Sequence, residues 1–425
     1  MKIIPSINLI FYLFIFLALL LLIVTLVVLL RSKHARKVKA LFFGGACCLQ
    51  LVTIASPIYL YSNKPAPLAS PCLLIGVDQH YQIVALNARD GSVRWTHQAQ
   101  TLSTNGSGNV FYTSDINNRG SIITAWTASS GTQIWQTSLQ ANGMLEYLMG
   151  ANGFVYVDVA MGWSDEVVYA LRATDGKLTW KHTIHLRSGL GDARNPLLIT
   201  AGNGLVFVRA QESSFSVLHA NDGSLAWHFS PNIPQGRFVY NSQLVLVGQN
   251  VYYLQDLAGD QGVSLFAFSQ GNGKPLWQRP LQGSSNYASG LAGAGTHLYL
   301  SINGQIIVLN ALNGTQLWHS PLYMGRTFMV IEARGIAYIP GNGALNALDE
   351  RNGKILWSLD ADPDGNFTEL VLSQNVLFAS ARAIAPHIFN PGSGQDAVVA
   401  IDPAHGSVYW STTNAARFIG IFNLF

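Results

Sequence analysis

The string Asp360-Ala361-Asp362-Pro363-Asp364-Gly365-Asn366 places oxygen donors at alternate positions and a glycine at the bend, as in the first half of a calcium-binding loop. Asp360, Asp362, Asp364 and Asn366 are the metal-ligand candidates. A twelve-residue loop of that type ends on a bidentate Glu, and Val371 stands there instead. Pro-Asp-Gly is itself a turn signal, so the competing reading is an acidic turn between strands. His182 and His185 are a second pair with ligand chemistry, but they follow Trp180 along one strand, where residues three apart point to opposite faces. No Cys or Glu completes a zinc set around them, and turn-flanking surface histidines are the expectation. There is no Gly-x-Ser-x-Gly elbow, P-loop or His-Glu-x-x-His motif, so no catalytic residue is assigned.

The elements that would carry these residues show in a repeat. Eight times an apolar run is followed, after a short polar stretch, by Gly, three residues and Trp, ending at Trp95, Trp135, Trp180, Trp227, Trp277, Trp318, Trp357 and Trp410. Eight of the 10 Trp occupy this position, which chance would not arrange. The residue before each Gly is Asp, Asn, Ser or His, and the Gly can adopt the left-handed conformation that closes a short hairpin with a bulge. The first strand of each hairpin, such as Ile83-Val84-Ala85-Leu86, is apolar on both faces and needs a sheet covered on both sides. The Trp supplies a flat surface and one N–H in need of a partner where neighbouring sheets meet.

Most hairpins are preceded by two further apolar runs, giving four strands per unit and a period of about 44 residues, within the range of propeller blades. The expected fold is an all-β, eight-bladed β-propeller over residues 72–425. The first unit lacks an upstream strand and the C-terminus carries an orphan one, Arg417 to Phe425; the tail is predicted to close the ring as the innermost strand of the first blade. Of the two remaining tryptophans, Trp126 replaces a strand Leu and is expected in the core, and Trp163 in a loop.

Residues 1–71 differ in kind. They hold seven Lys/Arg and no Asp/Glu, leaving the other 354 residues with 18 basic and 22 acidic groups. Leu9 to Leu30 is a run of 22 uncharged residues, long enough for a membrane-spanning helix. Ala40 to Tyr61 is a second, less apolar run of the same length, read as a second span. Between them residues 31–39 carry five Lys/Arg, a short basic loop of the kind kept in the cytoplasm. Both flanks then lie outside it, the stretch 62–71 with three prolines is a stiff spacer, and the propeller is extracytoplasmic at the cell membrane. Leu68 to Cys72 faintly resembles a lipoprotein processing site, but Pro71 before the cysteine fits it poorly.

The last two units, with Ala347, Asp349, Gly353, Trp357 and Ala400, Asp402, Gly406, Trp410, carry a family pattern. It resembles the pyrroloquinoline quinone (PQQ) repeat of quinoprotein alcohol dehydrogenase-like propellers. That superfamily holds PQQ-dependent dehydrogenases and also cofactor-free members, such as the propeller lipoprotein of the bacterial outer-membrane barrel-assembly machinery. The resemblance implies that the repeat Trp residues dock blades. A dehydrogenase would by the same resemblance carry adjacent cysteines near the quinone, a calcium-binding Glu/Asn set and a catalytic Asp. The one adjacent pair, Cys47-Cys48, falls in the second apolar segment, so PQQ is not expected. The resulting expectation is a non-enzymatic binding or scaffolding module for a protein, peptide or glycan, with a quinoprotein oxidoreductase as the alternative. A weakly acidic main body without basic clusters gives nucleic acid no purchase.

Overall fold

The computed structural model describes residues 66–423 apart from 70, 79, 81, 99–103, 118–119, 140–142, 162–164, 186–198, 210–213, 232–238, 258–262, 282–289, 323–328, 342, 362–365, 383–395 and 416. The expected spans 9–30 and 40–61 and the basic loop lie outside the described residues. Among the described ones no helix is long and apolar enough to cross a membrane.

Each hairpin forms as the repeat predicts, and each is extended to a four-stranded antiparallel sheet; there are eight such sheets among the described residues. Blade 1 consists of Cys72–Val77, Ile83–Asn87 and Val93–His97, with Arg417–Asn423 added at its inner edge. Blades 2 to 8 follow in chain order at residues 104–139, 144–185, 199–229, 239–281, 290–320, 331–360 and 366–412. In these seven the first strand is innermost. The inner strands of blades 2 to 6 adjoin in succession, as do those of blades 7 and 8, and the C-terminal strand stands between those of blades 8 and 2. The ring therefore closes with the C-terminal strand in blade 1, in the register Leu73 to Phe422 and Leu74 to Ile421.

The core is divided among the blade interfaces. Several second and third strands are buried on both faces, as their uninterrupted apolar runs require: Leu205–Arg209 is buried throughout, and so is Ala397–Ile401. The fourth strands alternate and form the outer edges. The antiparallel order puts the tight turns joining strands one to two (in blades 2 to 8) and three to four at one end of the blades. All the longer connections lie at the other end. Part of the proline-rich stretch belongs to the propeller: Ala66 is buried, its N–H donates to the Arg89 carbonyl at 2.6 Å, and Leu68 packs in the same cluster over the blade 8 and blade 1 seam.

Candidate functional site

The eight repeat tryptophans form a continuous system of inter-blade contacts. Each indole N–H donates to a backbone carbonyl in the third-to-fourth-strand turn of the next blade, over distances of 2.7 to 3.2 Å. The acceptor lies three residues before the next repeat glycine; Trp180 thus reaches Ala220, ahead of Gly223. The ring itself lies beneath that glycine. A Cβ at Gly223 would sit 2.7 Å from the Trp180 ring, and one at Gly353 2.4 Å from the Trp318 ring. The glycines also have φ near +70°, so two demands exclude every other residue: a left-handed backbone and a neighbouring indole in van der Waals contact. This second demand is not visible within a single repeat.

The residue before the glycine stabilises the same turn. Asp90, Asp222 and Asn313 each accept from the backbone N–H and the hydroxyl of the residue two positions on, the local hydrogen bonding that suits these residues to turns. Gln270 replaces the usual alanine in blade 5. It is buried, and its amide bonds the Gly248 and Asn250 carbonyls while accepting from Asn203 of blade 4. Between blades 6 and 7, Glu332 receives the Tyr299 hydroxyl, and His297 Nδ1 lies 2.7 Å from the same carboxylate oxygen. Burial and that carboxylate hold the Tyr299 phenol well above its ordinary range.

The other predicted residues are placed as follows. Asp360 ends the outer strand of blade 7, exposed, in register with Ala344. Asn366 opens the inner strand of blade 8 in register with Arg382, its Oδ1 buried without a hydrogen-bond partner. Asp362 and Asp364 lie outside the described residues, as does Trp163. Among the described residues no group of three or more His, Cys, Asp or Glu is placed to hold a metal. His185 is exposed and pairs with Asp165 at 2.7 Å. His182 differs from the surface histidine expected: it shares a register position with Val168 and is half-buried toward blade 4, and that burial lowers its basicity. Trp126 is buried, and its N–H donates to Thr113 at 2.8 Å.

Sequence reasoning missed a buried acidic position. Asp158, on the second strand of blade 3, is fully buried, and Glu166 on the third is nearly so. The only signal was a carboxylate inside the otherwise apolar Val155-Tyr156-Val157-Asp158-Val159 run. The outer strands meanwhile expose apolar side chains just ahead of the docking indoles, among them Ile134, Leu178, Leu225, Leu276 and Leu317. In a strand whose one edge is unpaired this is a surface suited to protein contact.

Comparison with known proteins agrees with this architecture. The outer membrane protein assembly factor BamB of Yersinia pestis is 23% identical over 324 residues, covering 71% of this chain and 72% of the relative. The crystal structure of BamB from Moraxella catarrhalis superposes with a TM-score of 0.54 at 16% identity, over 74% of this chain and 92% of that one. The dihydro-heme d1 dehydrogenase NirN in complex with DHE gives 0.57 at 12% identity, over 85% and 76%; at such identities the likeness is one of fold. A family model described as outer membrane protein assembly factor BamB matches residues 80–195, 118–290 and 341–423, well over half of the sequence, and the chain belongs to that PQQ-repeat propeller family.

Proposed function

We propose that the protein is a non-enzymatic scaffold whose propeller holds a protein partner on the extracytoplasmic side of a membrane, in the manner of an outer membrane protein assembly factor. The observation that supports this best is the use of the family's signature residues. All eight motif tryptophans and glycines are spent on docking one blade to the next, and none is left for chemistry. The adjacent Cys47-Cys48 pair belongs to the apolar N-terminal region. The exposed apolar side chains on the outer strands offer a partner both hydrophobic contact and free backbone groups.

The membrane association comes from the two apolar segments 9–30 and 40–61, with the basic loop 31–39 in the cytoplasm. Residues 72–425 then act outside it. Photo-crosslinkers placed in the intact cell at Leu225 and Leu276 are expected to trap a defined protein partner. Removal of the protein is expected to lower the amount of folded outer-membrane β-barrel. Unchanged barrel levels, with no crosslink from either position, would overturn the reading.

A further inference from the structure

The interface between blades 3 and 4 carries carboxyl groups that the docking system does not use. In the register of blade 3, Asp158 lies opposite Val168 on one side and Tyr147 on the other. Both pack in the cluster shared with Val206, Val208 and Leu218 of blade 4, so the face that Asp158 occupies is the one pressed against blade 4. Asp158 is fully buried, and neither carboxyl oxygen accepts a well-formed hydrogen bond. The neighbouring Val159 amide offers it only a weak one. Two more carboxyls act on it: Glu166, two positions along the third strand from Val168, and Glu146, at the bulge between Leu145 and Tyr147 of the inner strand.

The cations nearby are otherwise engaged. Arg209 of blade 4 donates through Nη1 to the Ser242 carbonyl at 2.9 Å and its hydroxyl at 3.0 Å, and its charge is felt by Glu166. His182, on the outer strand of blade 3 beyond Val168, is itself held toward the neutral form by burial. Tyr147 and Tyr156 pack on the same face, and burial raises both phenols above their ordinary range. An ionised Asp158 would be a desolvated charge facing two further carboxyls, which the site escapes by keeping its proton.

We propose that Asp158 is a proton-operated latch between blades 3 and 4, closing the interface when protonated and loosening it when ionised. Burial first, then Glu166 and Glu146, push its carboxyl up to about 8. The folded form therefore binds the proton more tightly than the unfolded one. Stability is full below the ordinary aspartate value, falls as pH rises toward the folded-state value, and is level above it. The loosening is confined to the interface that the carboxyl faces.

The test uses the full chain in detergent, with melting curves from about pH 5 to about pH 9.5 and hydrogen exchange of Phe154–Met161 and Leu205–Arg209. The wild type is expected to melt progressively lower as pH rises toward about 8 and to level off above it, with protection of those two strands falling about tenfold more than that of the other blades. Asp158→Asn should remove both effects. Glu166→Gln should move the midpoint to lower pH, because one repelling charge is gone, and it carries the test alone if the Asp158 variant does not fold. An Asp158→Asn protein with the wild-type profile, or exchange that rises equally in every blade, would sink the latch. Recovery of the wild type by millimolar calcium or magnesium at high pH would overturn it in favour of a metal site.

Discussion

Trp410 donates its indole N–H to the Ala88 carbonyl at 3.1 Å across 322 residues of sequence, and its ring lies 2.7 Å from where a Cβ on Gly91 would stand. The last blade thus docks on the first by the same indole contact that joins every other pair, and at this seam the C-terminal strand is added to it. Trp410 is also the most buried of the docking indoles. Trp410→Ala should cost about 3–5 kcal/mol, the usual range for deleting a large buried aromatic. Trp410→Phe should cost less, since it keeps most of the packing. Gly91→Ala should destabilise by both routes, left-handed backbone and collision with the ring. Chemical denaturation of the three variants would check this order; a Gly91→Ala protein as stable as the wild type would contradict it.

The second seam contact is the C-terminal strand. Removing residues 417–425 deletes the inner strand of blade 1 and leaves Cys72–Val77 as an unpaired edge. A sharp fall in melting temperature is expected. Cys72 reports the same event: it is buried, and burial pushes its thiol up to about 11. In a background with Cys47 and Cys48 replaced by Ser, thiol-reactive dye should label the truncated protein rapidly and the intact one slowly. Equal labelling and an unchanged melting curve would mean that the strand does not hold the ring.

The parts of this architecture legible in the sequence are those encoded within one repeat. Gly353 and Trp357 are four residues apart, so the turn, the bulge and the outer strand follow from local chemistry. The orphan run 417–425 was legible because blade 1 lacked a partner for it. The contact that gives the glycine its second role, Trp318 beneath Gly353, joins neighbouring repeats and could not be read from either alone. Asp158 was hidden for a related reason. Its neighbours Glu166 and Glu146 come from two other strands, and only the register and the inner-strand bulge bring them to one face. His182 looked like a surface residue because nothing local reveals that blade 4 covers it.

The acidic string between blades 7 and 8 offers a direct metal test. Asp360 and Asn366 stand at the ends of two strands, and the Asn366 Oδ1 is buried without a hydrogen-bond partner. If Asp360, Asp362 and Asp364 hold calcium, millimolar calcium should raise the melting temperature relative to chelator, and the triple Asp→Ala protein should lose the rise. A shift equal in both proteins, or absent in both, would leave the string a turn.

The topology is tested independently of any ligand. Five Lys/Arg in residues 31–39 between two apolar segments predict that everything after the second segment leaves the cytoplasm. A reporter active only outside the cytoplasm should work when fused after Phe425. Activity from a cytoplasm-only reporter at the same place would invert the arrangement. Replacing the five basic residues by Gln or Ser should weaken the orientation preference and yield activity from both reporters.

The scaffold reading also makes a biochemical prediction that separates it from quinone-dependent oxidation. The fold accommodates enzymes, as the NirN likeness illustrates, so the architecture alone decides nothing about chemistry. What separates the two is whether the protein supplies ligands and an acid or base to the ring. Here the repeat residues serve docking, and the carboxyls of the buried Asp158 and the partly buried Glu332 face neighbouring blades. The full chain, incubated with PQQ and calcium, should retain no stoichiometric quinone after gel filtration. It should reduce no electron-acceptor dye when given alcohols or sugars. Retained quinone with substrate-dependent dye reduction would reverse the assignment, and alanine replacement of the carboxylates would then locate the ligands.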